Sequence, residues 1–346
     1  MIKNIDNLEI KNLENGQIEI KGEISWEAFS SFEKKALERL LPHVEVAGFR
    51  KGNVPEAMAK KELGDELILS DMAELSIQEF YPQILEEKKI DAIGRPSVTI
   101  TKLARENALG FTITTEVLPE ITLPNYKKIA KDAPKASSVS VSEEEIDKVI
   151  EDLRQMKAYG HVHHHDDHDH AHEEPLPEVN DEFAKSFGAF ESVADLRAKI
   201  KENTQKEKEQ NEKDKRRIAI MDSIIAEAKF IVPSLILKSE QEKILAQIES
   251  DVTRSGIEFE EYLKHTNKTR ESIAKEFESE AERRARFQMC INAIAKDMDF
   301  KTTDEEVKAE AEKLMQMYPG ADLARTTAYA DMLLTNEKIL STLENL

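Results

Sequence analysis

Polar and apolar positions change period several times along this chain. Leu8 and Ile10 alternate with polar residues, Asn15-Gly16 follows, and Ile18 and Ile20 alternate again. An Asn-Gly pair between alternating runs predicts a β-hairpin, since both residues tolerate positive φ. Phe29, Phe32, Ala36, Leu37 and Leu40 recur at helical spacing up to Pro42. Residues 43–55 read as non-helical, and Pro55 is suited to open a helix because its missing N–H is not needed there. That helix is expected to reach about Lys89 with a kink at Pro82. Val98/Ile100 and Phe111/Ile113 return to strand spacing. These elements predict an α+β domain over 1–117.

Residues 118–141 hold Pro119, Pro124 and Pro134 and read as an extended linker. Ser142 with Glu145 forms a capping box, with Val141 and Ile146 as its hydrophobic staple. The apolar stripe Ile146, Ile150, Leu153 and Met156 carries this helix to about Gly160, so 118–160 comprises a linker and a first helix. From 175 to 346 the pattern is entirely helical. Ser192 and Asp195 can cap a long helix through Ile225, whose middle, 201–217, is almost wholly charged or amide. Val232-Pro233 opens another helix, Gly256 interrupts, and a helix is expected from about Thr269 to Met298. Thr303 and Glu306 make a second capping box, Tyr318-Pro319-Gly320 a turn, and a last helix ends near Leu343. Long helices with partly polar faces imply an elongated, mainly α domain over 175–346.

Composition narrows the function classes. Of 346 residues 34% are charged and 6% aromatic, and 49 Lys plus Arg against 69 Asp plus Glu leave a net charge of −20. Such a surface repels DNA unless cations are gathered locally. A single cysteine, Cys290, excludes an internal disulfide and a cysteine-based zinc site, and reads as core. No apolar run is long enough to span a membrane, and the start shows no secretory leader. No Walker-type loop and no nucleophile–base pair stands out. The methionines 289, 298, 315, 317 and 332 read as core filling or as a pliable surface for varied partners.

One loop breaks the acidic pattern. Gly48, Phe49, Arg50, Lys51, Gly52, Asn53, Val54 and Pro55 hold an aromatic and two adjacent cations between glycines. It reads either as a solvated basic loop or as an interface tip, since Phe supplies buried area and Arg forked donors. This GFRKGNVP run, after a hairpin and a helix, resembles the ribosome-docking signature of the bacterial trigger factor family, chaperones of the ribosome exit tunnel. Ile93-Gly94-Arg95-Pro96, Glu116-Val117-Leu118-Pro119-Glu120, the helix 142–159, the segment 176–184 and Val232-Pro233 resemble that family in the same order.

The resemblance implies an α+β ribosome-binding domain followed by a helical chaperone domain. It implies an ATP-independent function with no required cofactor, in the bacterial cytoplasm. The implied partners are an exit-tunnel protein, rRNA and nascent or unfolded polypeptides, and it leaves a homodimer open. Gly48, Phe49, Arg50, Lys51, Gly52 and Pro55 become the implied ribosome-binding residues. Asn53 departs from the family's usual Lys, removing one cation from the rRNA contact.

A larger departure is a missing domain. The family normally carries an FKBP-like prolyl isomerase between the linker helix and the Leu176-Pro177-Glu178 segment. Here only about fifteen residues separate them, whereas a domain needs about 50 or more. The gap, 161–174, reads HVHHHDDHDHAHEE and has too few apolar residues to pack a core. The chain is therefore expected not to be an enzyme. His161, His163, His164, His165, His168, His170 and His172 sit in that run. They read as a polar spacer, or as weak Ni²⁺ or Zn²⁺ ligands. A ribosome-independent metal-binding holdase and a prolyl isomerase are the alternative readings.

Overall fold

The computed structural model describes residues 4–46, 49, 54–135, 137–160 and 176–346. The His-rich run and the positions 47, 48, 50–53 and 136 lie outside them. In chain order the elements are β1 Ile5–Asn12, β2 Gln17–Ile24, α1 Trp26–Ser30, α2 Glu33–Leu40, α3 Glu56–Lys88, β3 Ala92–Lys102, β4 Leu109–Val117, α4 Tyr126–Asp132, α5 Glu143–Gly160, α6 Asp181–Lys185, α7 Val193–Glu227, α8 Ser234–Arg254, α9 Phe259–Thr266, α10 Arg270–Glu276, α11 Glu278–Asp297, α12 Asp304–Met317 and α13 Leu323–Glu344. The α+β region followed by a mainly α region is thus observed. Two compact units divide the chain. One joins Met1–Thr122 to Ala228–Ala293, the other Leu123–Glu227 to Ile294–Leu346, so the stretch 175–346 contributes to both.

In the first unit four antiparallel strands run in the order β1-β2-β4-β3. The hairpin expected at Asn15-Gly16 is present: Glu14–Gly16 makes a 3-10 turn, Leu13 N–H donates to the Gln17 carbonyl at 2.8 Å, and Gly16 has φ +72. Alternation buries Ile18, Ile20 and Ile24 on β2 and Leu109, Phe111 and Ile113 on β4, on the face covered by α2 and α3. Each such side chain contributes about 1.5–3 kcal/mol through removal from water. Gly22 makes room for Phe111, because a Cβ there would lie 2.8 Å from the ring. On β1 the buried position is Ile5, with Leu8 partly buried and Ile10 exposed, contrary to the simple Leu8/Ile10 alternation. A register shift between Asp6 and Glu9, where Asn7 takes φ +53, accounts for this.

The helical stretch after Pro42 also differs in detail. The sharp break in α3 falls at Gly64, with φ 72 and ψ 159, while Pro82 lies inside the helical run. Only glycine occupies that backbone region without strain, so the sequence marker was Gly64. The helix expected over 29–40 is two short ones, and the one expected over 269–298 divides at Phe277. Helices α8 to α10 and most of α11 belong to this first unit. Glu116 on β4 joins them to the sheet: its carboxylate accepts from the Ser234 hydroxyl at 2.6 Å and from the Leu235 N–H at 2.7 Å. Thr122 and Lys229 add an antiparallel bridge.

The second unit is helical. Ser142 N–H donates to Glu145 at 2.9 Å and Glu145 N–H donates back to the Ser142 hydroxyl at 3.3 Å, the expected capping box. Val141 and Ile146 are buried with Ile150, Phe183, Leu196 and Ile200. Helix α7 has no buried residue between Ile200 and Ile220. Its charges instead form ion pairs, including Lys208–Glu145 at 2.5 Å and Arg217–Glu344 at 2.8 Å. The expected extended linker contains a helix, α4, because the Asn125 side chain caps it by accepting from Lys128 N–H at 3.1 Å. Tyr126 follows, and its hydroxyl donates to Asp297 at 2.6 Å. Burial and this carboxylate push the phenol up to about 12. The Thr303–Glu306 box starts α12, which pairs with α13 around Val307, Ala311, Leu314 and Ala330.

Candidate functional site

The basic loop leaves α2 through a 3-10 turn, Leu41–His43, where Pro42 ends the preceding helix. Val44 and Val54, one on each limb, are buried with Ala59 of α3, and Leu41, Val46 and Leu63 pack around them. This small apolar cluster pins both ends of the loop. Phe49 N–H donates to the Val46 carbonyl at 3.0 Å, and 42% of the Phe49 surface is exposed. Pro55 is exposed and stands at the N-cap of α3, with φ −56 and ψ 138, one place before the first helical residue. Its carbonyl accepts from Met58 N–H at 2.9 Å and Ala59 N–H at 3.0 Å. Gly48, Arg50, Lys51 and Gly52 lie outside the described residues.

Neighbouring charge is self-neutralised. Lys60 reaches Glu56 at 3.0 Å and Glu33 at 3.3 Å, and the hydrogen bond it donates to Glu56 leads the causes that raise its pKa. Arg105 bridges Asp65 and Glu33. Val44, Val54 and Ala59 were not singled out from the sequence. Their available signal was the Val44-x-Val46 alternation and a valine directly before Pro55.

A second feature lies in the helical hairpin α12–α13. A cleft of about 1120 Å³ is lined by residues including Phe300, Val307, Ala311 and Leu323. Leu323 is 62% exposed, and Met317 and Tyr318 at the hairpin's turn are exposed as well. The methionines therefore divide: Met289 is core, whereas Met317 is surface. Cys290 is fully buried, and burial pushes its thiol up to about 11. Among the described residues no cluster of His, Cys, Asp or Glu could hold a metal ion, and no helix is long and apolar enough to cross a membrane. His161, His163, His164, His165, His168, His170 and His172 lie outside the described residues.

Comparison with known proteins identifies two family models. Residues 7–153 match the bacterial trigger factor protein (TF) and residues 192–341 match the bacterial trigger factor protein (TF) C-terminus. The trigger factor of Clostridium beijerinckii is 23% identical, with 91% of each chain covered. That of a type A Clostridium botulinum strain is 22% identical over an alignment of 421 residues, covering 97% of this chain and 98% of the relative. Since this chain has 346 residues, at least 75 positions of that relative face none here. A solved structure described as "Promiscuous Substrate Recognition in Folding and Assembly Activities of the Trigger Factor Chaperone" superimposes with a TM-score of 0.58. It is 18% identical, with 97% of this chain and 99% of that one covered.

Proposed function

Because the chain belongs to the bacterial trigger factor family, we propose that it docks on the ribosome through the loop around Phe49 and shields emerging polypeptides without ATP or prolyl isomerase activity. The observation that carries this reading is Phe49 itself, exposed in the segment between Val44 and Val54, which are buried together with Ala59. A rigid base lowers the entropy cost of burying the ring against a partner. Arg50 and Lys51, adjacent in sequence, supply charge for a ribosomal protein and rRNA. The α12–α13 cleft, with Met317, Tyr318 and Leu323 at its turn, offers exposed apolar area to unfolded clients. The bacterial cytoplasm is the compartment in which these partners meet. Pelleting of the purified chain with ribosomes, unchanged by a chelator, is the expected result. Failure to pellet, or dependence on metal, overturns the docking reading.

The absence of isomerase activity rests on length. Between α5 and Leu176 stand histidines, aspartates and glutamates, with Val162, Ala171 and Pro175 as the other residues. Lowering a barrier of about 18–20 kcal/mol for the twisted amide needs a preorganised apolar pocket. A proline-peptide assay with the pure protein is expected to show the uncatalysed rate; acceleration would reveal a catalytic site.

The same run is proposed to bind Ni²⁺ or Zn²⁺ weakly at several overlapping places through His161, His163, His164, His165, His168, His170 and His172. Metal binding competes with protonation of imidazole, so calorimetry is expected to show weak multi-site binding near neutral pH and none at acid pH. One tight stoichiometric site would instead indicate an ordered metal centre.

A further inference from the structure

The sheet ends on β3, and the two sheet edges differ. On β1 the register shift and the charged pair Glu9 and Lys11 discourage pairing by another strand. On β3 the sequence after Pro96 is Ser97-Val98-Thr99-Ile100-Thr101, and Ser97, Val98, Thr99 and Thr101 are exposed. These residues pair with β4 on one side, and no described strand pairs with the other. Pro96 has no N–H to donate, so an open ladder begins after it. Five residues of strand span about 17 Å.

Beside this edge lies an apolar groove. Pro96, Val98 and Ile100 share one face of β3, and with Ala73, Ile77 and Tyr81 of α3 they make the apolar part of a cavity of about 410 Å³ whose lining also includes Ser70, Glu74 and Gln78. A strand laid along β3 would place every second side chain into that groove. Its ends are marked by charge. Arg95 and Lys102 flank the open stretch, both exposed and without an ion-pair partner among the described residues.

We propose that the edge of β3 is a peptide-binding site that takes, as an added strand, an extended segment with alternating apolar side chains and acidic residues at its ends. Backbone pairing supplies affinity that depends little on sequence, while the groove selects apolar residues at alternate positions. In a chain of net charge −20 an acidic-ended segment is repelled by most of the surface. The cations at 95 and 102 offset that locally. The same cations disfavour a second copy of this chain. Two β3 strands paired antiparallel about Val98 and Thr99 would set Arg95 of each against Lys102 of the other.

Fluorescence anisotropy on the full-length protein, without ribosomes, tests this. The probe is a labelled peptide of alternating valine and threonine with glutamate at each end. It is expected to bind at least tenfold more tightly than the same peptide N-methylated at every valine and threonine, which cannot pair along either edge. Val98→Lys is expected to weaken binding at least tenfold. Combined Arg95→Glu and Lys102→Glu should shift preference to a lysine-ended peptide. Equal binding of the methylated peptide, or indifference to Val98→Lys in a folded variant, overturns the proposal. So does a concentration-dependent dimer in sedimentation velocity that Val98→Lys abolishes, since the occupant is then a second copy. If that variant does not fold by circular dichroism, the comparison of the two peptides on the unaltered protein decides.

Discussion

Replacing Phe49, Arg50 and Lys51 together by alanine is expected to abolish co-sedimentation with ribosomes while leaving the melting temperature unchanged. Phe49 is exposed, and the packing beneath it comes from Val44, Val54 and Ala59, which the substitutions leave in place. An aromatic anchor and an arginine at the centre of an interface each cost about 2 kcal/mol or more when truncated. Loss of only one such contribution corresponds to roughly thirtyfold in affinity. Replacing Arg50 and Lys51 alone, with Phe49 kept, should leave weaker binding with a flatter salt dependence, because each phosphate contact adds about 0.7–0.9 to the slope of log affinity on log salt. Undiminished pelleting of the folded triple variant would remove the loop from the docking surface.

Glu116→Gln is expected to destabilise the first unit by about 1.5–3 kcal/mol, the range for hydrogen bonds to a charged group. Burial works against the Glu116 carboxylate. The hydrogen bonds from Ser234, Leu235 and Gln17 and the charge of Lys238 outweigh burial and hold its pKa below the usual carboxylate value. A group whose folded pKa is depressed stabilises the fold above its unfolded pKa, about 4.3, and that contribution is lost as pH falls through the folded value. Thermal melts of the two proteins should therefore differ most at neutral pH and converge in acid. A difference that stays constant from pH 7 to pH 3 would mean that the ionised carboxylate is not what joins β4 to α8.

The features read correctly from sequence are mostly local. The capping boxes at Ser142 and Thr303, the reciprocal pair Ser192 and Asp195, and the turn at Gly16 each depend on groups a few residues apart. Their geometry follows from backbone sterics and unpaired N–H groups at helix starts. The misplaced features are those in which local signals competed. Three prolines hid the Asn125 cap of α4, and Pro82 drew attention from Gly64. At the candidate site, the composition of 48–55 was legible because an aromatic followed by two adjacent cations is unusual in an acidic chain. Its anchoring was not, since Val44 and Val54 become partners only when the chain folds back onto Ala59.

By itself the sequence determined the succession of an α+β and a mainly α region, the helix starts marked by Ser142, Ser192 and Thr303, and the unusual composition of 48–55. All of these rest on spacing along the chain, which is fixed covalently. The tertiary structure decided which segments share a core. Residues 228–293 join the N-terminal sheet through Glu116 with Ser234 and Leu235, and at Gly94, where a Cβ would lie 2.6 Å from the Leu235 side chain. These partners are more than a hundred residues apart, so no local periodicity encodes them. They are selected by the summed burial of surfaces that exist only after each helix and strand has formed. The open edge of β3 is of the same kind, because a strand becomes an edge only once the order β1-β2-β4-β3 is set.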